Sequence, residues 1–268
     1  MLPSIRLAAA VFLASRAFAQ APSIQIPANE ALRIGHRIWQ NECSGSIQGL
    51  TSWNHKEEFA SLGIGHFIWY PEQATGPSYE ESFPKLADFL ARNGANVPAW
   101  LKGHCPWPTR DAFWHDIGSP RMNELRNFLA QEENISLQAR FMAERMQESL
   151  PKILSAAPPE ERETLRRRFE LVAARPNGFY ALTDYVNFKG EGVAPSEQLD
   201  DGTRWGLLQV LQGMQPGETP LAEFASSADR VLENRVNHMP PENQEEYRKR
   251  WLPVWRKRVA TYRMALTK

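Results

Sequence analysis

Three glutamates carry the first chemical signal in this chain. Glu42 closes the run NEALRIGHRIWQNEC, and the adjacent pair Glu57 and Glu58 stands in WNHKEEFASLGIGHFIWYP, residues 53–71. A carboxyl group on each wall of one cleft is the equipment for breaking a glycosidic bond. One, protonated, serves the leaving oxygen, and the other activates water or stabilises positive charge across the sugar ring. Adjacent glutamates are also ordinary surface charge, so the pair acquires meaning only from what positions it.

The elements around these acids are readable. Leu32, Gly35, Ile38 and Trp39 recur every three or four residues and predict a helix ending near Glu42. From Leu50 to Tyr70 the chain turns to Thr, Trp, Phe, Ile and Tyr punctuated by Asn54, Gly63 and Gly65, which is strand and turn chemistry. Strand alternation places Glu57, Phe59 and Ser61 on one face and Glu58 and Ala60 on the other, which favours Glu57 over Glu58 as the second acid. Beyond Pro77 the pattern is helical. Phe83, Leu86 and Leu90 form one stripe, a long run spans 135–157, PPEERETLRRRFELVAAR has prolines and acids first and arginines later, and two further helices cover 221–237 and 245–266. The arginines of that string read as a solvated face. The expected fold is mainly α with a small β-hairpin lobe, an α+β arrangement. Its β lobe covers about 43–71 and its helical lobe 72–268, within one domain over 20–268.

A helix-end glutamate followed by a hairpin reading Ser61-Leu-Gly-Ile-Gly-His66 resembles the phage-type lysozymes and the wider lysozyme-like superfamily that includes chitosanases. The resemblance covers Trp39 to Tyr70, and its most specific part is Ser61 to His66. It implies a two-lobed lysozyme-like fold in which Glu42 is the general acid, Ser61 supplies the hairpin hydroxyl that positions water, and His66 closes the small lobe. The family's hairpin Asp has no counterpart. Its spacing falls at or near His55, and Glu57 and Glu58 are the nearby carboxylates, with Asp184 and Glu191 next in line. The implied activity is hydrolysis of a β-linked polysaccharide, peptidoglycan first and chitosan-like or β-glucan second. A lytic transglycosylase using Glu42 alone is one alternative, and a wall-binding protein without activity is another.

Further residues fit a sugar groove. Trp53, Trp69, Tyr70, Trp100 and Trp107 fall near the expected small lobe, where flat rings stack on sugar faces, although such rings are also core material. In YALTDYVNFKGEGV a helix over 182–188 ends at Asn187-Phe-Lys-Gly190. Gly190 there fits a helix end, and Asp184, Asn187 and Lys189 stand where amides and ammonium groups reach sugar hydroxyls. Glu58, His66, Trp69 and Tyr70 complete the expected contacts.

Composition bounds the rest. Of 268 residues, 42% are hydrophobic, enough for a core of its own. MLPSIRLAAAVFLASRAFAQ has Arg6, a short apolar run and Ala-Phe-Ala, which predicts a signal peptide over 1–19 and a periplasmic or secreted protein. The chain has 31 basic and 31 acidic residues, and Arg6 and Arg16 leave with the leader. The slightly acidic remainder offers no field for nucleic acid. No later run is long enough for a membrane span. In the oxidising compartment that export reaches, Cys43 and Cys105, the only cysteines, are expected to form a disulfide. His36, His55, His66, His104 and His115 show no zinc spacing, and no Gly-x-Ser-x-Gly elbow or phosphate loop is present. No metal or cofactor is expected, and the polysaccharide is the expected partner of a monomer.

Overall fold

The computed structural model describes residues 26–74, 79–215 and 219–263, so the expected leader lies outside the described residues. Helix α1 (Ala28–Cys43) buries Ala31, Ile34, Gly35 and Ile38 along one stripe. Ser44 then takes a left-handed conformation, φ 53°, and turns the chain sharply just after Glu42 and Cys43. The stripe lies on α5 (Glu132–Ala156), whose 25 residues make a rod roughly 37 Å long. Contact between the two is close. A Cβ on Gly35 would stand 2.6 Å from Ile135 Cγ2 and 2.9 Å from its carbonyl oxygen, so α1 approaches α5 through a position where any side chain would collide.

Between α1 and the later helices sits a three-stranded antiparallel sheet, β1 (Thr51–Ser52), β2 (Ala60–Leu62) and β3 (Phe67–Trp69). Ser61 faces Ser52 on one side and Ile68 on the other. The β2–β3 turn is fixed to α5 by Gln138, a fully buried amide that accepts the Ile64 N–H at 3.0 Å and donates to the carbonyls of Leu129 and Asn134. Gly63 turns at φ 77°, and a Cβ there would lie 2.4 Å from that same Gln138 oxygen.

The other helices are α2 (Phe83–Arg92), α3 (Arg110–His115), α4 (Pro120–Leu129), α6 (Arg162–Ala173), α7 (Gly178–Lys189), α8 (Leu207–Gly213), α9 (Pro220–His238), α10 (Pro241–Glu246) and α11 (Leu252–Ala260). Thr109 and Ser119 cap α3 and α4 by accepting the N–H groups of Ala112 and Met122. Residues 178–185 of α7 are all buried, which makes it the axis of the helical part, with α5, α6 and α8 packed around it. A turn of π-helix over Tyr247–Trp251 joins α10 to α11, and α11 packs on α9. Among the described residues no helix is long and apolar enough to cross a membrane.

The chain is mainly helical with one small antiparallel sheet, as its periodicity predicts. Three details differ. First, β2 begins only at Ala60, so Glu57 and Glu58 lie in the loop after β1 and strand alternation does not apply to them. That loop is shaped by Trp53, whose indole N–H donates to the Glu57 carbonyl at 2.8 Å while its own carbonyl accepts from Arg110 and Trp114. Second, Cys43 and Cys105 are not bridged. The Cys43 thiol points at the Gly63 carbonyl and His66, whereas that of Cys105 points at the carbonyl of Trp107 in its own loop. Third, Trp53 and Trp69 are core residues, 3% and 0% exposed, packed on Phe113 and on Phe83 and Trp107.

Candidate active site

Helix α1 delivers Glu42 to one end of a groove of about 570 Å³ whose other wall is the β1–β2 loop and the sheet. Glu57, Glu58, Ser61, His66, Tyr70 and Asn187 line the same groove. Seven of the sequence-predicted residues are thus brought together from α1, the sheet region and α7. The aromatic surfaces are Phe59, Tyr70, Tyr79 and Phe188. Trp53, Trp69, Trp100 and Trp107 do not contribute. Lys189 does not line this groove either and sits behind Phe188 against Trp255.

Glu42 is held on three sides. Its Oε1 accepts from Arg258 Nη2 at 2.6 Å and from Asn187 Nδ2 at 3.2 Å, and its Oε2 lies 4.0 Å from His66 Nδ1. Burial works to raise this carboxyl, but the charge and hydrogen bond of Arg258, then His66 and Asn187, outweigh it and hold Glu42 below the usual glutamate range. In the free protein it is therefore a carboxylate. Arg258 is itself anchored underneath. Its Nε and Nη2 meet the two oxygens of Asp184 at 2.9 Å each, and Asp184 also accepts from Tyr262 at 2.8 Å and Asn41 at 3.2 Å. Asp184 has no exposed surface. It is the foundation of the site and does not face the groove.

Glu57 differs from Glu42. Its Oε2 is buried and has no hydrogen-bond partner among the described residues, although the residue borders the groove. A carboxylate oxygen left without a donor is expensive, and such exceptions collect where a ligand supplies the partner. Glu58 is exposed in the same wall, and Ser61 is 4% exposed on β2.

His66 takes a left-handed backbone, φ 50°, uncommon outside glycine, directly beside Gly65. At Gly65 a Cβ would stand 3.0 Å from Met142 Sδ and 3.3 Å from Asn187 Oδ1, so the turn and α7 meet there without room for a side chain. Because the Gly49 carbonyl, 3.1 Å from His66 Nε2, can only accept, Nε2 carries a hydrogen and Nδ1 is the atom turned to Glu42. Cys43 Sγ lies 3.4 Å from that Nε2, yet burial, with the Glu42 charge adding to it, pushes the thiol up to about 12. Cys43 is a packed thiol and not a nucleophile.

The groove continues past Gly65, His66 and Asn187 into a second cavity of about 570 Å³. That one shares Arg145, Lys152 and Glu191 with a third of about 560 Å³. Glu191 accepts from Ser149 and Lys152 there, away from Glu42. The loop after α7 forms part of this wall and folds around Glu197. Its carboxylate takes the N–H groups of Glu191, Gly192, Val193 and Ala194 at 2.8–3.0 Å. Thr183 Oγ1, buried and without a hydrogen-bond partner among the described residues, also borders the second cavity. Among the described residues no three His, Cys, Asp or Glu side chains are grouped to hold a metal ion.

No protein-family model, curated protein or solved structure matches this chain. Sequence reasoning missed Arg258, the residue that sets the state of Glu42. A signal existed, because Trp255, Val259 and Tyr262 are the buried positions of the last turns and Arg258 lies on the same helical face, three residues after Trp255 and four before Tyr262.

Proposed function

We propose that the protein is a lysozyme-like glycoside hydrolase that cleaves a β-linked polysaccharide, with Glu42 as proton donor and Glu57 as the carboxylate across the sugar. The observation that carries this reading is the pairing of Glu42, at the end of α1, with the unpartnered, buried oxygen of Glu57 in one groove. The continuation through two further cavities suits a polymer rather than a small molecule. The two-lobed reading draws support from the position of the sheet, which faces the end of α1 across this groove. Ser61 and His66 fill the places that the resemblance implies for the water-positioning hydroxyl and the lobe-closing imidazole. Export by the leader completes the proposal, since a wall polysaccharide lies outside the cytoplasm.

Arg258 keeps Glu42 ionised in the free protein, so the acid role needs the protonated fraction, which grows as pH falls. Turnover is expected to have an acidic optimum and to fall as pH rises above the depressed value of Glu42. The deciding experiment is mass spectrometry of products after incubation with purified peptidoglycan, chitosan and β-glucans. Glu42→Gln is expected to lose about 10²–10⁴-fold in rate, and Glu57→Gln to lose turnover while still binding. Products with internal anhydro ends that persist in Glu57→Gln would instead assign a transglycosylase. A wild-type protein that binds and releases nothing would leave only a binding role.

A further inference from the structure

A stack of cations and rings stands behind the groove wall. Lys189, the last residue of α7, places Nζ 3.6 Å from the Trp255 ring centre and 4.0 Å from that of Phe188. Arg235 on α9 lies 3.7 Å over Trp205 and 5.5 Å from the same Trp255 ring. Arg258 sits 4.1 Å from Phe188. Phe188, which borders the groove, and Gly190, which borders the second cavity, are the neighbours of Lys189 in sequence, while the Lys189 side chain itself packs behind Phe188. Tyr79, which overhangs the groove, is near enough for its phenol to act on the Arg235 charge.

Only one of the three cations is answered. Arg258 has Asp184 and Glu42. Among the described residues neither Lys189 nor Arg235 has a carboxylate within 4 Å, and Arg235 Nε is buried without a hydrogen bond. Stacking on rings supplies about 2 kcal/mol when desolvated, less than the several kcal/mol that taking an ion out of water costs. Burial first, then the charges of Arg235 and Arg258, hold the Lys189 ammonium well below the lysine range, and only Glu42 works weakly the other way. A methionine would fill this space without that penalty. Both residues are only partly buried.

We propose that Lys189 and Arg235, packed on Trp255 beside the groove residue Phe188, form an anion site next to the groove that takes a carboxylate carried by the polysaccharide, so that the substrate is an acidic glycan rather than a neutral or amino-cationic one. The substrate half of this inference rests on the glycan reading above. The anion half does not. A carboxylate on the open side of this stack would give the guanidinium and the ammonium the counter-charge that the protein does not supply. A cationic chitosan chain would meet repulsion at the same place.

The test uses the full chain. Acetate is titrated at constant ionic strength while the indole N–H signals of Trp205 and Trp255 are followed by NMR. Saturable shifts are expected in the wild type, absent in a Lys189→Met/Arg235→Met double variant and retained in Lys189→Arg, with folding of each checked by thermal unfolding. Should the double variant not fold, Lys189→Met and Arg235→Met are read singly. Calorimetry then compares a β-linked oligosaccharide bearing a uronic acid with its neutral N-acetylglucosamine counterpart and a chitosan oligomer. The acidic chain is expected to bind at least tenfold more tightly, and Lys189→Met is expected to erase that margin while leaving the neutral chain unchanged. Silence toward acetate, or shifts that survive in the double variant, overturns the anion site. Acetate binding with no preference among glycans overturns the acidic substrate alone. Acetate binding with no glycan bound at all leaves the anion site standing and removes the polysaccharide reading.

Discussion

Replacing Arg258 by methionine tests the foundation of the site. The guanidinium is 9% exposed and joins Glu42, 17% exposed, to Asp184, which is fully buried. Methionine fills much of the same space but leaves Asp184 with only Tyr262 and Asn41, and Glu42 with Asn187. Removing one partner of a buried pair costs about 3–5 kcal/mol because the other charge stays behind. That is a large share of a total stability of about 5–15 kcal/mol, and for a chain of this size it lowers Tm by roughly 6–20 °C. The assay is urea unfolding at neutral pH, with Arg256→Met as control. Arg256 also meets two carboxylates, Asp229 and Glu233, but is 43% exposed, so its loss is expected to cost under about 1 kcal/mol. Equal losses for the two variants would refute the argument from burial. The pH dependence has a definite sign. Glu42 is depressed in the folded state, so its contribution is fully present above the ordinary glutamate range and is lost as pH falls through its lowered value. In Arg258→Met that acid-sensitive contribution should shrink, because burial then acts on Glu42 with its main opponent gone.

Three further outcomes follow from other parts of the molecule. Glu197→Ala leaves four N–H groups converging on nothing, which is expected to cost about 2–3 kcal/mol, and added acetate should restore part of the loss in a thermal shift assay where chloride does not. Lys189→Met is expected to raise stability at neutral pH, and the gain should fade as pH rises toward the lysine range, since a lysine depressed in the folded state destabilises until its unfolded form also loses the proton; a drop in Tm at pH 7 would count against the unpaired-cation argument. Thiol titration should find two free thiols in unfolded, unreduced protein and almost none reacting in the native state, where burial holds both cysteines up to about 12.

What the sequence revealed and what it concealed have physical causes. Helices α1, α5, α6 and α9 were legible because each buries a stripe against a neighbour, and the period of burial is written in the residue order. Glu42 and Asn187 were legible because helix ends are local signals, whereas Ser61 and His66 joined them through the resemblance that the Ser61–His66 string carries. The β1–β2 loop was not legible, since its path is set by hydrogen bonds from Trp53, Arg110 and Trp114, and the last two come from a different part of the chain. The tryptophans misled for a related reason: a ring suited to a sugar face is equally suited to Phe113 or Phe83, and no spacing rule separates the two. Arg258 was hidden by distance. Its helix carries Arg256, Lys257 and Arg258 in succession, and two exposed neighbours mask the one that turns inward.

That distance also governs when the site can exist. Glu42 and its cation are 216 residues apart, and at ordinary synthesis rates of 5–20 residues per second the carboxylate is made roughly 10–40 s before the guanidinium. Every described residue lining the groove precedes residue 189, so a nascent chain holding these residues still lacks the group that sets the charge state of Glu42. Docking of α11 therefore fixes the charge state of Glu42 last. A chain stopped short of it would present the groove's residues without the finished electrostatics.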